Sequence, residues 1–350
     1  QRYGMDALDK GIYRQEDNVA HGITIIARCL LAAFVRKTTV PDYGVFLDAM
    51  ERGVNHALSN YYRREIHLFY STTSIHESAM EEGYTIWVNY AYLCMLRLVE
   101  EVSSMYDCHS RFTGALELKK GFETTLENVF SHSDRYVRRL RPDGVVDLRP
   151  DITLLSPFFF GRDGVVPGNP EVFRETVRFI RDNLWDPDLG MLQRYLPFIE
   201  DPSTHIHAGN GPWIQYTAML AQYYFSNGMK EEGESIMSII DGYLTREGFL
   251  CEHLTTAERF YEFKRLEWMP GNDFDKEFDP HILAQGISYD HIVEELTHMK
   301  LSYEEVERQC TEDPSGYITF ATPLMWSHAE YAMALVMRTE VELAALQYRL

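Results

Sequence analysis

Several features that define other protein classes are scarce in this sequence of 350 residues. Its five cysteines are odd in number, scattered and without C-x-x-C spacing, which disfavours both a disulfide framework and a structural zinc site. Positive charge is also short, since 33 Lys and Arg face 53 Asp and Glu for a formal net charge of −20. This balance disfavours a nucleic-acid partner. A P-loop, a G-x-S-x-G elbow and a dinucleotide fingerprint are all missing, so we predict no cofactor.

The sequence also contains nothing like a secretory leader, and it has no long uninterrupted apolar run. The longest such stretch, Ile23 to Val35, is broken by Arg28 and is too short to span a bilayer. These features predict a cytoplasmic protein without a membrane partner. The first residues, Gln1-Arg2-Tyr3-Gly4-Met5, resemble the middle of a protein, so we expect an upstream part, either in the same protein or on a partner chain.

What the chain does have is helical periodicity, supported by a hydrophobic content of 45%. Apolar helices alternate with amphipathic ones, and short extended pieces with polar residues lie in every second connection. The pattern predicts helices over about 18–37, 43–61, 82–105, 111–139 and 229–244, a short one from 151 to 160, and one from about 323 to the end. Two more helices are predicted without a fixed end, one after the N-cap Asn169 and one that begins at Trp213. Such alternation indicates two concentric rings of helices, an all-α toroid formed by residues 1–350 as a single domain.

The stretch from Gly190 to Asn227 combines residues that suit a sugar. It has Arg194 on an extended piece, a polar loop, and then Gly209-Asn210-Gly211-Pro212-Trp213 at the start of a helix. An indole covers the apolar face of a pyranose, and a guanidinium fork bonds its hydroxyl groups. From Trp213 onward, aromatic and apolar residues recur at three- and four-residue spacing, which is one face of a helix. The alternative is a buried loop with a core tryptophan, because aromatic residues at this spacing usually belong to a core.

Two glutamates are candidates for acid–base chemistry. Glu77 lies at a loop-to-helix junction beside His76, among apolar residues and other acids that would raise its pKa, as a general acid requires. Its alternative is an acidic first turn that complements a helix dipole. Glu252 ends an apolar segment and would act as a base on a water, or it would belong to the N-cap region of a helix starting at Thr255.

A metal site is the weaker interpretation of the remaining polar cluster. His205 and His207 lie on one loop without a third ligand nearby, and catalytic zinc sites normally use three protein ligands. We therefore predict that the site holds no metal.

Five blocks of the sequence resemble glycoside hydrolase family 15, the family of glucoamylases, glucodextranases and some trehalases. Ala321 to Glu330 (ATPLMWSHAE) is similar to the family's C-terminal P-L-T-W-S-H-A-E block and is the most specific match. Arg194-Tyr195 followed by 209–213 resembles its R-Y…G-N-P-W block. The other three matches are Leu250 to His253 with the base segment, Ser74 to Glu77 with the acid segment, and Asp147 to Pro157 with the D-A-S-L-L segment.

This resemblance implies an (α/α)6 barrel that cleaves α-glucosidic bonds with inversion of configuration. Glu77 would be the general acid and Glu252 the general base, with their carboxyl groups roughly 6.5–9.5 Å apart. The substrate-binding residues implied are Arg194, Trp213, His76, Asn210 and Trp326. The substrate expected is the non-reducing end of an α-glucan or a short gluco-oligosaccharide.

The sequence departs from the family pattern in ways that bear on function. His76 replaces the family's Trp before the acid, Ser78 its charged residue after the acid, and His253 its Gln after the base. The early W-x-R-D motif has no clean counterpart, because Asp17 lies too close to Glu77 for that role. We therefore expect the chain to begin inside the barrel and to lack its first few helices. The alternatives are a trehalase and a non-catalytic, carbohydrate-binding or regulatory barrel of the same fold.

Overall fold

The computed structural model describes residues 15–72, 75, 82–166, 168–196, 211–256, 259 and 317–347, with side chains up to 341 in the last range. Within these ranges the chain is mainly helical, and the predicted all-α fold class is confirmed. The helices are α1 (Asp17–Val35), α2 (Tyr43–Asn60), α3 (Ile86–Met105), α4 (His109–Phe130), α5 (Ser156–Gly161), α6 (Pro170–Leu184), α7 (Ile214–Ser226), α8 (Lys230–Asp241) and α9 (Met325–Gln347).

The strands are short and antiparallel, and they occupy the connections between helices. They are β1 (Tyr62–Arg63), β2 (Leu68–Phe69), β3 (Tyr84–Thr85), β4 (Ser131–His132), β5 (Arg135–Tyr136), β6 (Arg139–Leu140), β7 (Val146–Asp147), β8 (Trp185–Asp186), β9 (Met191–Leu192), β10 (His253–Thr256) and β11 (Tyr317–Phe320). They pair as β1-β2, β3-β6-β7, β4-β5, β8-β9 and β10-β11. In the longest pair, His253 lies opposite Phe320 and Leu254 opposite Thr319.

The chain divides into two compact units, the first formed by Gln1–Arg149 with Thr153–Thr176 and the second by Pro150–Ile152 with Val177–Leu350. The prediction of one domain over 1–350 stays a prediction.

In the first unit the core is built around α3, which contacts α1, α4 and α5. Fifteen of its 20 residues are buried, because helices cover it on several sides. The Thr85 hydroxyl caps the helix by accepting a hydrogen bond from the Val88 N–H at 3.4 Å.

In the second unit α7 is the central helix, and it contacts both α8 and α9. Twelve of its 13 residues are buried, so the single buried face expected from its aromatic spacing is an incomplete description. The polar residues on its other sides are buried too, because they bond to α9. Ser327 Oγ donates to Gln215 Oε1 at 3.1 Å, and Gln222 Nε2 donates to Glu330 Oε2 at 2.8 Å.

The fourth helix ends nine residues earlier than its predicted limit of 139. After Phe130 the chain forms the β4-β5 hairpin, with Ser133 at a φ of 59°, and then β6 pairs with both β3 and β7. Local periodicity predicts helix here, but pairing with strands distant in the sequence overrides it. The third helix likewise begins at Ile86 rather than at 82, because Tyr84 and Thr85 belong to β3.

The first helix extends further than the apolar run from Ile23 to Val35. It has 19 residues and is long and apolar enough, by length and composition alone, to cross a membrane. One face of it is buried and packs on α2 and α3. Arg28 on another face pairs with Asp163.

Candidate functional site

Four extended segments of the second unit lie side by side at the start of α7. Met191–Gln193 bridges to Pro212, Trp213 bridges to His253, and β10 pairs with β11. The Trp213 N–H donates to the Leu192 carbonyl at 2.8 Å, and the Leu254 N–H donates to the Pro212 carbonyl at 3.2 Å. We call this arrangement the strip. It brings together Arg194, Trp213, Glu252 and Phe320, which are far apart in the sequence.

The side chains of the strip form a column of stacked groups. The rings of Trp213 and His253 lie 4.7 Å apart at 14°, and those of His253 and Phe320 lie 4.3 Å apart at 8°. Both contacts join residues paired across neighbouring strands, where side chains on one face approach closely. The Arg194 guanidinium lies over the Trp213 ring, with its Cζ 4.6 Å from the ring centroid, as in a cation–π contact.

Trp213 is therefore buried, at 6% exposure, as the alternative of a core tryptophan predicts. Its ring is also part of the column, because it contacts the Arg194 guanidinium and stacks on the His253 ring. Its role as a substrate-binding residue stays a prediction.

Glu252 is held by its backbone on two sides. Its N–H donates to the Phe320 carbonyl at 2.9 Å, and its carbonyl accepts from the Ile214 N–H at 3.1 Å. Its side chain is 29% exposed and accepts a hydrogen bond from His253 Nδ1 at 3.3 Å. Residues 253–256 form β10, so Glu252 lies directly before a strand. The alternative of a nearby helix start stays open, because the Thr256 hydroxyl accepts a hydrogen bond from the Arg259 N–H at 3.3 Å. Glu252 is thus a carboxylate that water can reach, on a fixed backbone.

The neighbours of Glu252 in sequence are buried and neutral. Burial lowers the pKa of His253, since desolvation disfavours the imidazolium, and the charge of Arg194 acts in the same direction against that of Glu252. Burial raises the pKa of the Cys251 thiol to about 12. At neutral pH both groups are uncharged, and Arg194 and Glu252 are the charged groups among the described residues that act on His253.

One residue of the C-terminal block at 321–330, Trp326, lies close to the column. Trp326 lies in the first turn of α9, half-buried, with its ring edge-on to Tyr216 at 5.4 Å, and Tyr216 in turn lies 5.9 Å from Trp213. Trp326 Nε1 donates to Glu330 Oε1 at 3.3 Å. The structure thus places Trp326 beside Trp213's neighbour, in the same unit as Arg194 and Glu252.

The other polar residues of this block are anchors. His328 Nε2 accepts a hydrogen bond from the Leu250 N–H at 3.0 Å, which ties α9 to the segment that carries Glu252. Ser327 and Glu330 bond to Gln215 and Gln222 of α7. The block therefore fixes the position of β10 relative to α7.

Gly211 lies where two backbone segments of the strip approach each other closely. A Cβ built at this position would lie 1.9 Å from the Leu254 carbonyl oxygen, which no side chain tolerates. The glycine of the G-N-G-P-W block thus permits the close approach between the start of α7 and β10.

Three predicted site residues, His76, Glu77 and Asn210, lie outside the described residues, as do His205 and His207. The predicted acid–base pair is therefore without a measured separation. Within the described ranges no group of three or more His, Cys, Asp or Glu could hold a metal ion. Sequence reasoning missed Phe320, for which no motif gave a signal, and it treated His253 only as a departure from a family pattern.

The first unit also buries carboxylates, and that of Asp147 is surrounded by protein donors. Asp147 accepts hydrogen bonds from Arg138, Arg139 and Arg149, with the shortest at 2.6 Å from Arg149 Nη2. Burial would raise the pKa of Asp147, but the hydrogen bonds of Arg149 and the charges of Arg138 and Arg149 lower it to about 2. Nearby, a cavity of about 570 Å³ is lined in part by Glu16. This carboxylate accepts hydrogen bonds from Ser71 and Thr72.

Comparison with known proteins places this fold in a class. No family model and no curated protein matches the sequence. Solved structures do match: a glycosidase with 15% identity and a TM-score of 0.55, and a variant of a glycosidase in complex with glucose with 14% identity and a TM-score of 0.57. Each match covers 97% of this chain and 71% of the other.

A bacterial glucoamylase complexed with acarbose also matches, with 13% identity and a TM-score of 0.55 over 94% of this chain and 41% of the glucoamylase. The likeness shows the fold, which is the helical toroid of glucoamylase-like glycosidases, as the sequence predicted.

Proposed function

We propose that this protein is a glycoside hydrolase, and more specifically an exo-acting, inverting α-glucosidase similar to the glucoamylases of family 15. It would release glucose from the non-reducing end of an α-glucan or a short gluco-oligosaccharide. The observation that carries the proposal is the position of Glu252. It is a solvent-reachable carboxylate on a backbone held from two sides, next to a cation and a column of aromatic rings.

The shared fold supports this proposal, since one matched glycosidase is in complex with glucose and the matched glucoamylase with acarbose. Fold alone does not define an activity, so the proposal depends on the residues of the strip. Four of the residues implied by the family resemblance, Arg194, Trp213, Glu252 and Trp326, occur in one unit and around one helix start.

In the proposed mechanism Glu252 accepts a proton from a water as its oxygen attacks the anomeric carbon. Glu77, the acid predicted from sequence, protonates the glycosidic oxygen as the bond to the leaving group breaks. Water enters on the face opposite the leaving group, so an α-linked substrate gives β-glucose. Arg194, oriented by its contact with Trp213, donates hydrogen bonds to sugar hydroxyl groups.

The test is to measure glucose release from maltose, isomaltose and trehalose, with NMR of the anomer formed first. We expect β-glucose from at least one of these substrates, and the one that reacts identifies the linkage. Replacement of the base, Glu252→Gln, is expected to lower kcat by about 10²–10⁴-fold while sugar binding persists. Glu247→Gln is the matched control, because Glu247 is an exposed glutamate of the same segment.

Three results would contradict the proposal. Full activity in a folded Glu252→Gln variant would remove Glu252 as the base. Absence of glucose from all three substrates, with sugar binding retained, would support the non-catalytic, carbohydrate-binding barrel instead. Release of the non-reducing-end glucose of maltose or isomaltose as the α-anomer, or of α-glucose alone from trehalose, would exclude inversion.

A further inference from the structure

His253 occupies the centre of the column, and its ring has little freedom. It is the first residue of β10 and is paired on one side with Trp213 and on the other with Phe320. Both partners stack on it within 15° of parallel, and only 8% of the residue is exposed. A partial rotation of the imidazole about χ2 would break both stacks, so the strip fixes the ring plane. Of the two orientations related by a 180° flip in that plane, the one observed directs Nδ1 to Glu252 Oε2.

This fixed ring points one nitrogen at the carboxylate of the preceding residue. His253 Nδ1 lies 3.3 Å from Glu252 Oε2. Successive side chains of a strand normally point to opposite faces, but Glu252 lies in a bend just before β10, which brings the two groups together. A carboxylate only accepts hydrogen bonds, so the proton of the neutral imidazole must be on Nδ1.

We propose that His253 is a positioning residue for Glu252, holding its carboxylate in the orientation in which it accepts a proton from water. This inference rests on the proposed function for its chemistry, though the geometry stands by itself. A hydrogen bond to Oε2 restricts rotation of the carboxyl group, so that the second oxygen keeps a constant direction. Misplacement of a reacting group by about 1 Å costs about 10²-fold in rate, so such a restraint is worth a large factor.

The charges around the pair favour this arrangement. The described titratable groups on the neighbouring elements include Arg194 after β9, the neutral thiol of Cys251 and His328 of α9, which approaches the segment at Leu250. The others are Tyr216 of α7, Tyr317 of β11 and Glu330 of α9. Burial and Arg194 lower the pKa of His253, so the ring remains a neutral donor at pH 7. In the family pattern a Gln follows the base, and a Gln amide is also a neutral donor. Replacement of this Gln by His253 therefore keeps a neutral N–H donor next to the proposed base.

Two variants test separately the N–H donor and the aromatic ring of His253. His253→Phe keeps an aromatic ring between Trp213 and Phe320 but removes the N–H. His253→Asn keeps a donor in the place of Nδ1 but removes the ring. We expect His253→Phe to lower kcat about 10- to 100-fold with KM within about twofold. The acid limb of its pH–rate profile should move upward by about one pH unit, because the lost bond favoured the charged carboxylate. In His253→Asn, kcat within about fivefold and an unmoved acid limb are expected.

Wild-type kcat and an unshifted pH profile in a folded His253→Phe protein would overturn the proposal. Should His253→Phe fail to fold, the Asn variant decides, since an acid limb shifted despite the retained donor would also overturn it. Nitrogen-15 NMR of the imidazole tests the geometry without turnover. We expect the Nδ1–H tautomer in the wild-type protein, and an Nε2–H tautomer would refute the positioning role even in an active enzyme. A protein with the Nδ1–H tautomer but no hydrolysis would instead refute the proposed function.

Discussion

Asp147 in the first unit and Glu252 in the second show two uses of a carboxylate in one chain. Asp147 is 4% exposed and surrounded by three arginines, which lower its pKa to about 2. Glu252 is 29% exposed and bonds to a neutral histidine. An anion neutralised by fixed cations holds chain segments together but has no proton chemistry near neutral pH. Glu252, which water can reach, is instead the carboxylate that we propose as a base.

Exchange of each carboxylate for its amide is the strongest way to test this comparison. Asp147→Asn leaves buried guanidinium groups without their anion, and we expect it to lower the free energy of unfolding by about 3–5 kcal/mol. Glu252→Gln is expected to change that free energy by less than about 1 kcal/mol, because its side chain is partly in water. Urea unfolding of both variants measures the difference. Equal losses of stability would break the comparison.

Gly211→Ala tests whether the strip that carries Glu252 depends on close backbone contact. The added Cβ would meet the Leu254 carbonyl, so the start of α7 must move away from β10. We expect a loss of about 3 kcal/mol, together with loss of sugar binding. Gly144→Ala is a control for glycine replacement, since no atom lies within 4 Å of its added Cβ, although its φ of 80° adds strain there. A Gly211→Ala protein with wild-type melting temperature would contradict the assigned contact.

The pH dependence of stability isolates Asp147 further. Its pKa rises from about 2 in the folded protein to near 3.8 on unfolding, so the unfolded chain takes up protons first as the solution is acidified. The stability it contributes, about 2 kcal/mol, is present above about pH 4 and is lost as the pH falls to about 2. The stability gap between wild type and Asp147→Asn should therefore narrow over this range. If the difference in unfolding free energy between the two proteins stays constant between pH 5 and pH 2, the cluster of Asp147 and its three arginines has another role.

The smallest effect concerns the C-terminal block, in which Ser327 bonds to α7 and Trp326 contacts Tyr216, a neighbour of Trp213. Ser327→Ala removes the bond to Gln215 and leaves its buried oxygen without that donor, so we expect a loss of about 1–2 kcal/mol with KM unchanged. Thermal unfolding and maltose kinetics test this together. A rise in KM without loss of stability would place Ser327 at the substrate instead.

Helical spacing was enough to predict most of the helices, because buried apolar faces recur every three to four residues whichever neighbours cover them. The predicted limits agree within a few residues for α1, α2 and α8. The end of α4 and the surroundings of Glu252 were not predictable in this way. In both places an extended segment pairs with a strand distant in the sequence, and no local pattern encodes that partner.

The sequence by itself determined the fold class and proposed Arg194, Trp213, Glu252 and Trp326 as site residues, since motifs keep their residue types and spacing. Only the tertiary structure decided what these residues touch. It stacked His253 between Trp213 and Phe320 and turned its Nδ1 toward Glu252. It also made most of the C-terminal block an anchor. The physical reason is that stacking and hydrogen bonding depend on distances between segments, which are fixed only when the strip assembles.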